Sequence, residues 1–261
     1  MIESFMKTAQ VLRRVNNKLR LPLPLFRLLN GKKARFECPI CAYEGPFLDL
    51  SAFAGVRKHA KCPRCGSLER HRLQYLAATR AFANLPIATA KMLHFAPEAF
   101  LMKIFASRFA KYETADLFME GVDHKVDIQH LPFKDETYDV IFASHVLEHI
   151  RDDRQAITEI RRILKPNGFA ILPVPIVCTN TIEYADANPY EAGHIRAPGL
   201  DYFDRYMEYF RKVEVQGSES FPERHQLFIY EDRSKWPSRE CPLRPPMEGW
   251  RHPDFVPICY A

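Results

Sequence analysis

An open, mostly parallel α/β sheet with helices on both faces, preceded by a small N-terminal zinc ribbon, is the fold class this sequence predicts. Two observations carry the prediction. From Lys91 onward, short apolar runs alternate with helical stretches, the pattern of strands buried on both faces. Ahead of them stand two knuckles, Cys38-Pro39-Ile40-Cys41 and Cys62-Pro63-Arg64-Cys65, about twenty residues apart. Two residues between cysteines let both thiolates of a knuckle reach one tetrahedral ion. Four sulfur ligands leave no position for water, so a zinc ion on Cys38, Cys41, Cys62 and Cys65 is expected to be structural. Chemistry must then lie elsewhere in the chain.

The 261 residues are 47% hydrophobic, enough for a substantial core, and no apolar run approaches the length of a membrane span. The net charge of +5 conceals an asymmetry: residues 1–90 hold sixteen Lys/Arg against five Asp/Glu, and the remainder is mildly acidic. A basic front of this kind suits nucleic acid, a phosphorylated substrate or an anionic membrane surface. The N-terminus lacks the apolar core and small-residue cleavage site of a secretory signal, which points to a reducing, cytoplasmic setting. Cys178, Cys241 and Cys259 follow no ligand spacing and read as ordinary thiols.

Along the chain, residues 1–35 read as a basic amphipathic helix with Phe5, Val11, Leu12, Val15 and Leu19 on one side, breaking near Leu21-Pro22-Leu23-Pro24. Peripheral membrane contact through residues 1–30 is one use for such a helix. The zinc ribbon occupies 36–67 and a connecting helix 68–90. Residues 91–231 form the α/β domain, with strands at Met92 to Phe95, Tyr112 to Ala115, Tyr138 to Ala143 and Phe169 to Val174. Helices are expected over Glu98 to Phe109, from Asp152 and Asp153 to the Pro166-Asn167-Gly168 stop, and over Leu200 to Phe210. Val213 to Val215 and Leu227 to Tyr230 supply late strands, and the proline-rich residues 232–261 are expected to lie as an extended tail over the surface.

In open parallel sheets ligands bind beyond the carboxyl ends of the strands, where the first strand turns into its helix and a carboxylate ends the second. The turn here is Leu93-His94-Phe95-Ala96-Pro97-Glu98, and Asp116 follows about twenty residues later, placed for both hydroxyls of a ribose, with Leu117 beside it. Asp127 suits an adenine amino group, with Ile128 packing on the ring.

These features, and above all the run LPFKDETYDVIFASHVLEHIRDDRQAITEIRRILKPNGFAILPVP from Leu131 to Pro175, resemble the class I S-adenosylmethionine-dependent methyltransferases of the type 11 group. The resemblance covers about residues 91–231, and the two knuckles followed by GSLERHR resemble a zinc-binding module fused to some bacterial members. It implies a Rossmann-like sheet, S-adenosyl-L-methionine as cofactor, and a cofactor site drawn from Phe95, Ala96, Pro97, Glu98, Asp116, Leu117, Asp127, Ile128, Ser144 and His145. One departure is plain: Ala96-Pro97-Glu98 stands where the family has glycines. Since the cofactor carries no phosphate, no pyrophosphate cradle is lost with them, and Glu98 is free in this reading to meet the methionine end.

Methyl transfer needs alignment, exclusion of water and, for a hydroxyl acceptor, a base. His145, at the end of the strongly apolar central strand, is the first candidate. The segment Glu191-Ala192-Gly193-His194-Ile195-Arg196 supplies a second pair, His194 and Arg196, suited to deprotonating a hydroxyl beside a phosphate or carboxylate. Tyr184 and Tyr190 are candidates to line the pocket. A divalent-cation site of His145, Glu148 and His149 is disfavoured for magnesium or calcium, which want oxygen ligands. The expected function is O-methylation of a small-molecule or glycan acceptor. The alternatives are an RNA methyltransferase using Arg57, Lys58, His59, Lys61, Arg64, Arg70, His71 and Arg72, or a non-catalytic ligand-binding adaptor.

Overall fold

The computed structural model describes residues 22–52, 55–237 and 244–261, so most of the expected basic N-terminal helix, and Cys241, lie outside the described residues. A short helix, α1 (Leu23–Leu29), begins at the very point where the proline pair was expected to end one. Pro24 sits in its first turn, where a missing amide proton costs nothing. Two small antiparallel ladders follow, β1 (Phe36–Glu37) with β2 (Glu44–Gly45), and β3 (Leu48–Ala52) with β4 (Gly55–Lys61). Then come α2 (Glu69–Ala81), β5 (Lys91–Phe95), α3 (Ala99–Ala106), β6 (Lys111–Asp116), β7 (His124–Lys125), β8 (Tyr138–Ala143), α4 (Asp153–Ile163) and β9 (Leu164–Ile171). A hairpin of β10 (Ile182–Asn188) and β11 (His194–Ala197) leads to α5 (Tyr202–Met207), β12 (Lys212–Gly217), β13 (Ile229–Tyr230), β14 (Arg251–His252) and β15 (Phe255–Tyr260).

Seven strands form the central sheet in the order β7-β6-β5-β8-β9-β15-β12, parallel except for β15, which runs antiparallel to both neighbours. Strand order reverses between β5 and β8, the switch point at which such sheets open a crevice beyond their carboxyl ends. Alternation along the strands feeds two cores. Leu93, Ile141 and Ala170 pack with Ile157 and Ile160 of α4 and Tyr206 of α5. Met92, Val140, Phe142 and Ile171 pack with Leu73 and Ala77 of α2 and Leu101 and Phe105 of α3. The connecting helix α2 is thus one of the helices that cover the sheet. Asp152 caps α4 by accepting from the Gln155 amide at 3.0 Å, as its position predicts. That helix ends at Ile163 and β9 starts at once, earlier than the Pro166-Asn167-Gly168 stop implies. Gly168 is required within β9, because a Cβ there would stand 2.9 Å from the Asp139 carbonyl oxygen.

Two expectations are corrected here. Residues 232–261 are not simply a surface tail, since β15 is an internal strand of the main sheet with Val256, Ile258 and Cys259 fully buried. Pro257 sits within this strand although proline cannot donate to a ladder. It lies opposite Leu172, one residue past the end of β9; the Leu172 amide donates to the Pro257 carbonyl at 3.2 Å, and the Tyr206 hydroxyl donates to the Leu172 carbonyl at 2.8 Å, replacing the proton that proline lacks. The late strand at Tyr230 likewise leaves the α/β sheet and pairs with Lys58 of β4, building a four-stranded sheet β14-β13-β4-β3 onto the cysteine module.

That joint is held by Arg72 of α2, which is wholly buried. Its guanidinium donates to the carbonyls of Ala60, Ser67, His225 and Gln226 and stacks on Phe47 at 4.6 Å. Among the described residues, no helix is long and apolar enough to cross a membrane.

Candidate active site

The four expected zinc ligands converge. Cys38 Sγ lies 3.6 Å from Cys65 Sγ and Cys41 Sγ 3.7 Å from Cys62 Sγ, and all four are within 4.8 Å of one another. Thiolates bound ~2.3 Å from a tetrahedral zinc stand ~3.8 Å apart, so this donor set fits that ion. The two knuckles share one backbone design: the amides of Ala42 and Gly66 donate to the carbonyls of Cys38 and Cys62, each at 2.9 Å.

At the carboxyl edge of the sheet, Phe95, Asp116 and Ala143 end three adjacent strands, and the Ala96 amide donates to the Ala115 carbonyl at 2.9 Å. Ala96 has φ 45°, the left-handed conformation that glycine takes without strain. The turn therefore keeps the shape expected of glycine with only a methyl group added. Asp116 Oδ1 accepts from the amides of Phe118 and Met119, both at 2.7 Å, which fixes the carboxylate at the strand end. Leu117 and Phe118 are exposed at this edge, an apolar ledge of which only the first residue was expected. Asp127 Oδ1 caps its own turn through the Gln129 amide at 2.9 Å, and Ile128 is buried beside it. Ser144 is buried and accepts from Gln74 Nε2 at 2.9 Å, tying the end of β8 to α2.

Glu98 is engaged elsewhere than at a ligand. Its carboxylate pairs with Arg70 at 2.6 Å and His71 at 3.1 Å. Burial alone would push this carboxyl up, but His71 and Arg70 hold it down at about 2. The same pairing disposes of much of the basic cluster. Arg57 pairs with Glu69 at 2.8 Å, Arg64 donates to the Cys41 carbonyl, and Arg72 is spent on backbone carbonyls.

Beyond His145 opens a cavity of about 300 Å³. His145 and His194 both line it, together with Arg57, Arg70, Arg233 and Arg244, the rings of Tyr190 and Trp236, and the carboxyl groups of Glu191, Glu231 and Asp254. His145 has φ 55°, a strained conformation of the sort that collects at functional sites, and its Nδ1 stands 3.2 Å from Glu148 Oε1. Burial pushes His194 down to about 4, so its ring is neutral near pH 7. Tyr184 is buried and donates to Glu191 Oε2 at 3.2 Å.

Arg196 does not face the cavity. It is 2% exposed, and its guanidinium donates to Glu183 and to the carbonyls of Leu147, Ile150 and Arg151. On β11 it fixes the turn after β8, with its guanidinium turned to these carbonyls and to Glu183. The cavity cations Arg233 and Arg244, with Trp236 and the buried Asp254, come from the segment expected to be a tail. No motif marks them; only the return of β13 to β15 brings them here. Burial pushes the Asp254 carboxyl above the usual carboxylate range.

The family described as "Methyltransferase domain" matches residues 88–172. Demethylmenaquinone methyltransferase of Clavibacter sepedonicus is 28% identical over 132 residues, 42% of this chain and 53% of that protein. An uncharacterized protein of Methanocaldococcus jannaschii is 50% identical over 48 residues, 18% of this chain and 21% of that protein. A solved structure of phosphoethanolamine N-methyltransferase 2 from Haemonchus contortus, in complex with phosphomonomethylethanolamine and S-adenosylhomocysteine, shares 20% identity with a TM-score of 0.44, covering 55% of this chain and 38% of that one. The matched segments span about half or less of these curated relatives' own length. Residues 88–172 thus match a methyltransferase-domain family and lie within the mostly parallel sheet.

Proposed function

We propose that the protein is an S-adenosylmethionine-dependent O-methyltransferase acting on a small, polyhydroxylated, sugar-like acceptor. The observation that carries the reading is the cavity beyond the carboxyl end of β8, lined by His194 and by His145, which stands two residues past the strand's last residue. Asp116 holds the ribose of the cofactor, Leu117 and Ile128 flank its adenine, and the Ala96 turn faces its methionine end. Bound there, the cofactor supplies a methyl group on a positive sulfonium.

Arginines that alternate with carboxylates offer donors and acceptors to a ring of hydroxyls, and Trp236 and Tyr190 give its apolar faces a platform. His145 takes the proton of the attacking hydroxyl at Nε2, while Glu148 behind Nδ1 sets the tautomer and balances the imidazolium that forms. In this reading the four cysteines hold structural zinc, and the six described cysteines, all free of disulfides, suit a cytoplasmic setting.

The extensive internal pairing of Arg57, Arg70, His71 and Arg72 speaks against the RNA reading, since few of these cations are left for phosphates. Titration calorimetry with S-adenosylmethionine and S-adenosylhomocysteine, followed by turnover on a panel of hydroxylated glycans, tests the reading. His145→Ala should keep cofactor affinity and lose methyl transfer at least ~100-fold. Absence of cofactor binding would move the protein to the adaptor class.

A further inference from the structure

We propose that Glu148, His149 and His194 form a second metal site, taking a borderline divalent ion of the zinc type, at the wall of the acceptor cavity. One ligand atom from each of the three lies within 4.8 Å of the other two. Glu148 is 0% exposed, and neither of its oxygens takes a hydrogen bond of good geometry among the described residues. His194 Nδ1 is likewise buried without a hydrogen-bond partner, and its ring meets that of His149 edge-on at 4.7 Å. A buried carboxylate with no donor lacks its compensating charge. His145 Nδ1 stands 3.2 Å from Oε1, and Oε2 has no hydrogen-bond partner among the described residues.

The ligand chemistry selects the ion. Two imidazoles and one carboxylate suit zinc and its transition-metal neighbours, whereas magnesium and calcium want oxygen. His194 comes from β11, so the set differs from His145, Glu148 and His149, which sequence brings together. One side chain fixes both contributing segments: Arg196, two residues beyond His194 on β11, binds the carbonyls flanking the Leu147–His149 turn. Glu191, 3.9 Å from His194 Nδ1 and paired with Arg244 at 2.9 Å, stands behind the ring. Ligand atoms ~2.1 Å from a tetrahedral ion stand ~3.4 Å apart, so closing on a metal asks for about an ångström of side-chain movement. His149 is exposed and has room for it.

The cysteine cluster is closed, but three ligands leave a coordination position open, and His194 places it at the cavity. An acceptor hydroxyl bound there would lose its proton more readily, with His145 alongside to receive it. The metal binds in this inference whether or not methyl transfer occurs, so its test is separate from that of the cofactor.

The experiment counts metal in the full chain. Metal-free protein reloaded with Zn²⁺ and freed of excess should retain two equivalents. His149→Ala, a substitution at an exposed position that does not threaten folding, should retain one, with affinity for the second lowered at least tenfold; Glu148→Gln should do the same. With Co²⁺ as probe, the cysteine site shows strong sulfur-to-cobalt charge transfer, and the second equivalent should add only weaker visible bands. A wild-type protein that holds a single equivalent, or a His149→Ala protein that still holds two, overturns the site. Cofactor affinity measured in parallel reports on the methyltransferase reading alone.

Discussion

The four-cysteine cluster and the cavity wall at Glu148 gather their donors in opposite ways. Each half of the cysteine cluster is a single knuckle whose own backbone hydrogen bonds aim both thiols, so the site is nearly complete within two short segments. The cavity wall draws on the turn after β8, on β11 and on residues beyond 230, and no short segment holds enough of it to be recognised. A closed, local cluster is built for stability. An open wall assembled from distant segments depends for its shape on positioning residues such as Arg196.

Removing metal from the cysteines probes the first half of that contrast and should have the largest effect, since structural zinc sites bind with ~10 kcal/mol or more. Under chelation, amides of β3 and β4 should exchange well before those of β5, β8 and β9 in a hydrogen-exchange experiment. Simultaneous exchange would show that Arg72 makes module and sheet one cooperative unit. Next in size, Ile258→Ala should cost about 3 kcal/mol in urea denaturation, because the residue is fully buried in an internal strand; a surface tail would lose a few tenths.

Glu98→Gln tests the ionic tie between α2 and the turn after β5. Its folded carboxyl titrates at about 2 against an ordinary 4.5, so its contribution is complete above pH 4.5 and disappears as pH falls towards 2. The variant should be less stable by about 2 kcal/mol at pH 7, allowing for partial exposure, and should converge with the parent near pH 2. Asp116→Ala should weaken S-adenosylhomocysteine binding at least tenfold, about 1.4 kcal/mol, with an unchanged melting curve. Smallest of all, Ala96→Gly should change thermal stability by less than about 1 kcal/mol, relief of the left-handed alanine being offset by glycine's greater freedom when unfolded.

Much of the fold was legible. Strands β5, β6 and β8 and helix α4 fall within a residue or two of their apolar runs and caps, because burial on both faces and an Asp152 cap are local signals. What escaped was non-local. Pro257 concealed β15, since nothing in the sequence says that Tyr206 will supply the missing donor. Tyr230 has a strand's composition, yet its partner Lys58 is more than 170 residues away, in the cysteine module. Glu98 and Arg196 were chemically apt choices for ligand and acceptor. Arg70, His71 and a row of carbonyls engage them first, and only packing reveals that. The basic front misled for the same reason: composition counts charges without their partners.

The position of β15 has a consequence for the order in which the chain acquires its shape. During synthesis β9 and β12 emerge with a strand-wide gap between them, and the cysteine module waits in the same way for β13 and β14. Both sheets are closed by one late stretch, residues 229–260, so a nascent chain lacking it leaves β4, β9 and β12 each with unpaired amides and carbonyls. The cavity, whose wall includes Arg233, Trp236, Arg244 and Asp254, comes into being only when that stretch docks. Assembly of the cavity and completion of the fold are therefore a single event, and an incompletely made chain has no half-formed cavity.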